Sequence, residues 1–196
     1  MLFSSASFAA AAQQPTLLVF GDSLSAGYGL PQDTGWVSLL QQRLQTSGRN
    51  YHLINASISG ETSAGGRVRL LAALEQYRPR VLILQLGGND GLRGLTVKAF
   101  RTNMEAMIKM GIAAKAKILL VGIRLPTNYG KSYREKFQQA YAELARSNRI
   151  ALVESLLESV EMKRESFQAD GIHPAKNAQP ILLENVWRKL RQLLND

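Results

Sequence analysis

The chain of 196 residues contains no cysteine. That removes disulfides, thiolate metal sites and a cysteine nucleophile together, without identifying a compartment. Histidine is nearly as scarce, with only His52 and His173, so a dedicated zinc site is hard to assemble. No apolar run approaches the length needed to span a bilayer. No lysine or arginine precedes Arg43, so the start lacks the basic segment of a complete signal peptide. Met1 to Ala12 is nevertheless small and apolar and closes on an alanine run suited to signal-peptidase cleavage. Residues 1–14 therefore read either as a signal-peptide remnant or as a disordered tail.

Lysine and arginine outnumber acids by 24 to 15, a formal charge of +9. Such an excess can signal nucleic acid, an anionic surface or acidic substrates. Here the basic residues stand singly or in spaced pairs (Arg67 and Arg69, Arg78 and Arg80, Lys115 and Lys117), with no block of five and no interleaved aromatics. That pattern describes solvated helix faces rather than a nucleic-acid module. It leaves room for mild attraction to anionic lipid or acyl carriers.

Five short apolar runs punctuate the chain, at Thr16–Phe20, Leu53–Ala56, Val81–Leu86, Ile118–Ile123 and Ile150–Val153. Between them lie segments of helical period. Trp36, Leu39, Leu40 and Leu44 space as one face, and Val68, Leu70, Leu71 and Leu74 are read likewise, as are 97–114, 133–145 and 180–194. Strands alternating with helices imply βαβ units and a parallel sheet, and strands this apolar imply cover on both faces. No linker, repeat or low-complexity tract interrupts 15–196, so one doubly wound α/β domain is expected. Ligands in such sheets sit beyond the carboxyl ends of the strands.

The unusual residues fall there repeatedly. After the first run comes Gly21-Asp22-Ser23-Leu24-Ser25, where Ser23 is a candidate nucleophile, although a plain helix cap explains Asp22 or Ser23 equally. After the second comes Ser57-Ile58-Ser59-Gly60-Glu61-Thr62, where Gly60 offers an open backbone N–H or merely a turn. After the third comes Gly87-Gly88-Asn89-Asp90-Gly91, where the Asn89 amide is a candidate oxyanion donor or again a turn residue. Near the C-terminus, Asp170-Gly171-Ile172-His173-Pro174 places a carboxylate three residues before an imidazole. The carboxylate can hold the tautomer that a general base needs, or the segment is a capped helix start with Pro174 in its first turn. Each signal is weak alone. Together they are the parts list for acyl transfer.

With these residues in hand, the chain resembles the SGNH/GDSL hydrolases over about 16–194, all four blocks appearing in the family's order. It looks most like the bacterial thioesterase, lysophospholipase and arylesterase branch, through Asn55–Gly60, Leu86–Gly94 and Ile123–Gly130. The resemblance implies a three-layer α/β/α sandwich with a flavodoxin-like five-stranded parallel sheet. It also implies Ser23 as nucleophile, His173 as base and Asp170 as its orienter, with Ser23 and Gly60 N–H groups and the Asn89 amide as oxyanion hole. Acyl-CoA thioesters, lysophospholipids and aryl or short-chain esters are the implied substrates, and the serine mechanism needs no metal or organic cofactor. A periplasmic or secreted monomer with at most transient contact with lipid surfaces is expected.

The acyl chain is expected against the loops Leu92–Leu95 and Ile123–Gly130, with Leu92 and Leu125 as its contacts. A flavodoxin-like binding module is the main rival, yet neither a dinucleotide glycine motif nor a phosphate-binding lysine loop follows the first strand. A further rival is an acyltransferase using the same triad with a non-water acceptor.

Overall fold

The computed structural model describes residues 14–194. The segment up to Ala12 read as a leader or tail lies outside them. Five parallel strands form the sheet: β1 (Thr16–Gly21), β2 (His52–Asn55), β3 (Val81–Gln85), β4 (Lys117–Val121) and β5 (Ala151–Val153). Their order is β2-β1-β3-β4-β5. Leu18 is level with Ile54 on one side and Leu82 on the other.

Seven helices are described: α1 (Ser23–Ala26), α2 (Trp36–Thr46), α3 (Ser63–Tyr77), α4 (Gly88–Leu92), α5 (Val97–Ala113), α6 (Lys131–Asn148) and α7 (Gln179–Leu193). Helices α3, α5 and α6 pack side by side in one layer, and α2 and α7 in the other. The fold is the expected α/β/α sandwich with a flavodoxin-like sheet. Strands β1, β3 and β4 lie between two helical layers and are buried almost throughout, whereas β2 exposes both its ends. The chain leaves β1 toward β2 and then returns across β1 to β3. The switch in strand order therefore falls between β1 and β3, where α/β sheets open a crevice at their carboxyl edge.

Three expectations need correction. The fourth apolar run continues to Ile123, but β4 stops at Val121. Gly122 turns the chain there, donating to the Val153 carbonyl and accepting from Leu156 N–H. Its missing side chain leaves room for the Glu154 carbonyl, 2.6 Å from where a Cβ would stand. In α3 the four apolar residues do not share a face. With about 3.6 residues per turn, Leu70 and Leu74 fall on one side and Val68 and Leu71 on the other. The structure buries Leu70 and Leu74 with Gly66 and Ala73, and leaves Val68 84% exposed. Lastly, Pro174 opens no helix. It bridges to Phe167, and α7 begins only at Gln179.

Candidate active site

The β1–α1 turn separates the two roles its residues could play. Asp22 is the cap: its Oδ1 accepts the Leu24 N–H at 3.0 Å. Ser23 is thereby left at the first helical position with its hydroxyl free. That Oγ lies 2.9 Å from His173 Nε2. The imidazole's other nitrogen, Nδ1, lies 2.7 Å from Asp170 Oδ2. A carboxylate can only accept, so Nδ1 carries the proton and the Nε2 lone pair faces the serine O–H.

Asp170 is fixed by a local turn, its Oδ1 accepting from Ile172 N–H at 2.9 Å and His173 N–H at 3.0 Å. The hydrogen bond from the His173 side chain, then those from the backbone, hold its pKa at about 2. It is an anion across the whole range in which a histidine titrates. The Tyr28 ring packs 4.5 Å from the imidazole. Gln168 ties that turn down, donating from its side chain to the Tyr28 carbonyl and from its backbone to that of His173.

Gly60 and Asn89 arrive at the same edge. Gly60 has a φ of +81°, which favours glycine, and neither its N–H nor that of Ser23 has a hydrogen-bond partner among the described residues. Asn89 stands in the first turn of α4 and gives one amide hydrogen to the Glu61 carbonyl at 2.9 Å. An amide has two, so the second remains to point elsewhere. The segment read as a simple turn is thus a short helix, started by Gly87 at φ +120°. A side chain on Gly87 would strike the Tyr141 hydroxyl and the Phe100 ring. Asp90 locks α4 to the start of α3, accepting from Ser63 N–H at 2.8 Å and from its hydroxyl at 2.5 Å.

Asp22 does more than cap. Burial raises its pKa from 3.8 to about 6, against the lowering pull of the Leu24 and Gln85 hydrogen bonds. Its Oδ2 is buried without a hydrogen-bond partner. Gln85 donates to Oδ1 at 3.1 Å and accepts from Ser25 Oγ at 2.6 Å. This buried chain beneath the nucleophile was missed from sequence. Its signal was there: Gln85 is the one polar residue in the run 81–86.

Beside Ser23 and His173 opens a cavity of about 550 Å³, walled by Leu24, Leu92, Ile123, Leu125, Leu157 and Phe167. Leu92 lies there as the last residue of α4 rather than in a loop. Leu125 rests on Gly91, where any side chain would collide with it, and Arg134 Nε holds its carbonyl at 3.0 Å. A mostly apolar wall with a few converging polar groups is the usual make-up of a small-molecule site. Among the described residues no three His, Cys, Asp or Glu side chains group as metal ligands.

Residues 19–179 match the GDSL-like Lipase/Acylhydrolase family. The chain is 51% identical over 185 residues to the Esterase TesA of Pseudomonas aeruginosa, covering 94% of this chain and 91% of that protein. It is 41% identical over 185 residues to the Thioesterase 1/protease 1/lysophospholipase L1 of Escherichia coli, covering 94% and 88%. Among solved structures, the psychrotrophic esterase EstA from Pseudoalteromonas sp., inhibited by monoethylphosphonate, superposes with a TM-score of 0.88 at 40% identity. That superposition covers 93% of this chain and all of the other.

Proposed function

From the premise that the chain belongs to the GDSL-like lipase/acylhydrolase family and is a serine hydrolase of carboxylic ester and thioester bonds, we propose that Ser23 is the residue acylated, with His173 as base and Asp170 as its orienter. The observation that carries the assignment is the unbroken relay Asp170–His173–Ser23, at 2.7 and 2.9 Å. His173 takes the Ser23 proton as Oγ attacks the acyl carbon. The imidazolium is stabilised by the Asp170 carboxylate, which itself stays ionised. Charge gathers on the carbonyl oxygen, and the Ser23 and Gly60 N–H groups with the second Asn89 amide hydrogen form the hole that receives it. His173 then returns the proton to the departing alcohol or thiol. Water, activated by the same imidazole, hydrolyses the acyl-enzyme. A phosphonate mimics this tetrahedral geometry, consistent with its use as an inhibitor of the structural relative.

Leu92 and Leu125 are the proposed acyl-chain contacts, since both stand in the cavity wall. Transient contact with lipid surfaces is proposed at the mouth, where Met162 and Ile172 border the cavity and remain 89% and 47% exposed. We read the enzyme as a periplasmic monomer whose first dozen residues are cleaved on export. No helix of the described residues is long and apolar enough to cross a membrane.

A fluorophosphonate probe tests the nucleophile. The parent enzyme is labelled once, whereas Ser23→Ala is not labelled and loses activity by roughly 10⁴-fold or more with an unchanged circular dichroism spectrum. A folded Ser23→Ala enzyme that keeps most of its activity overturns the assignment.

A further inference from the structure

Acyl transfer as described makes no use of Arg69, yet this side chain is only 25% exposed. Its Nε donates to Glu61 Oε2 at 2.5 Å. Its guanidinium lies 3.8 Å over the centroid of the Phe20 ring, on the strand that delivers Ser23. Its Nη2 is buried with no hydrogen-bond partner among the described residues. Leaving a buried N–H unsatisfied is unfavourable, so a group serving stability alone is poorly placed there. A planar cation that stacks and pairs at once is well suited to fixing a partner's orientation.

The partner is Glu61, through which Arg69 reaches the chemistry. The Glu61 carboxylate lies across the first turn of α3, where helix N–H groups favour negative charge. Gly65 makes the space for it, because a side chain there would strike Glu61 Oε1. With its side chain pinned between that turn and Arg69, Glu61 presents its backbone carbonyl to Asn89 Nδ2 at 2.9 Å. The adjoining Gly60 carbonyl is also held, accepting from Arg93 Nη2 at 3.1 Å. Engaging one Asn89 hydrogen on the Glu61 carbonyl fixes the direction of the other.

We infer that Arg69, acting through Glu61, is a positioning residue of the oxyanion hole. This rests on the oxyanion role proposed for Asn89. A pair that only stapled α3 to β1 would alter melting temperature without separating kcat from KM. A pair that aims the Asn89 amide acts chiefly as charge develops, so it changes kcat and leaves KM in place.

The test is a double-mutant cycle on a p-nitrophenyl ester, with the affinity of a trifluoromethyl ketone (which forms a tetrahedral adduct) as second readout. Arg69→Ala is expected to lower kcat about tenfold, below the cost of deleting a donor outright. KM should stay within about twofold and the ketone should weaken in step with kcat. Arg69→Lys, which keeps the charge, should recover part of the loss. In an Asn89→Ala background the same Arg69→Ala change should cost no more than about twofold, because its effect has already been removed. Equal losses in both backgrounds, or a KM that rises as far as kcat falls, overturn the role of Arg69 while leaving the oxyanion hole standing. Wild-type kcat in Asn89→Ala overturns both. Should Arg69→Ala fail to fold, Glu61→Gln removes the charge at constant shape and is read by the same cycle.

Discussion

At the amino edge of the sheet, Gly48, Arg78, Lys115 and Arg149 follow the ends of α2, α3, α5 and α6, all at positive φ. At the carboxyl edge, Gly27, Gly60, Gly87, Gly130 and Gly171 adopt positive φ in the turns around Ser23 and His173. The same backbone requirement is met by three cations and Gly48 at one edge, and mainly by glycine at the other, where Asp33 and Ser159 are the exceptions. Below the sheet the turns face solvent, and a positive side chain complements the carbonyl end of the helix it closes. Above it, a side chain on Gly87 would collide with Tyr141, and the Gly60 N–H has no hydrogen-bond partner among the described residues. Charge differs between the edges too. The links at 47–51, 78–80, 114–116 and 149–150 carry five cations and no acid, whereas the cavity is lined by both signs, Asp22 and Glu161 with Arg124, Arg134 and Arg164. The lesson is that one edge is tuned for holding helices and the other for holding a ligand, at a cost in buried polar groups.

If the edges differ in this way, substitutions should divide by edge. After Ser23 itself, the largest effect is expected at Asn89. Asn89→Ala should lower kcat by roughly 10²–10³-fold with little change in KM, and near-normal kcat would reduce Asn89 to a turn residue. Next come the cavity walls: Leu92→Ala and Leu125→Ala should each shift the ratio of kcat/KM for long over short acyl esters by about tenfold, the scale of a few methylenes of pocket contact. An unchanged ratio in both removes these residues from the acyl site.

Asp22 sharpens the comparison through pH. Its carboxyl binds a proton more tightly in the fold, with a pKa of about 6, than in the unfolded chain near 3.8. The stability it contributes is therefore full below about pH 4 and lost as pH rises through about 6. Asp22→Asn carries no such charge, so its melting temperature relative to the parent should climb between pH 4 and pH 7. A difference that stays flat would mean the buried carboxyl does not titrate there. The smallest effect belongs to the amino edge. Lys115→Gly relieves a left-handed lysine at φ 62° but gives up backbone entropy and a charge at a helix end. Those effects nearly cancel, leaving the melting temperature within about 2 °C and kcat unchanged. A loss of activity there would break the division.

The strands were readable because β1, β3 and β4 are covered on both faces and must be apolar throughout. Their ends were less so, since Gly122 stops β4 by accepting a neighbour's backbone and not by any break in hydropathy. Helix α3 misled because apolar spacing admits Val68 and Leu71 as readily as Leu70 and Leu74. Only the surfaces of β1 and α5 decide which pair is buried. Ser23, Gly60 and Asn89 could be singled out because each stands in the turn after a strand, and Asp170 and His173 because of their spacing and the scarcity of histidine. Gln85, Glu61 and Arg69 were not, because their meaning lies in partners 63, 28 and 8 residues away.

By itself the sequence determined the alternation of strands and helices, the absence of thiol chemistry, and the residue types from which an acyl-transfer site can be built. Those are properties of period and composition, which local chemistry carries. Tertiary structure decided which hydroxyl meets the imidazole, and which carboxylate is buried and raised in pKa while another is held low. Each of these depends on distance and desolvation between segments far apart in the chain, and no local pattern encodes them.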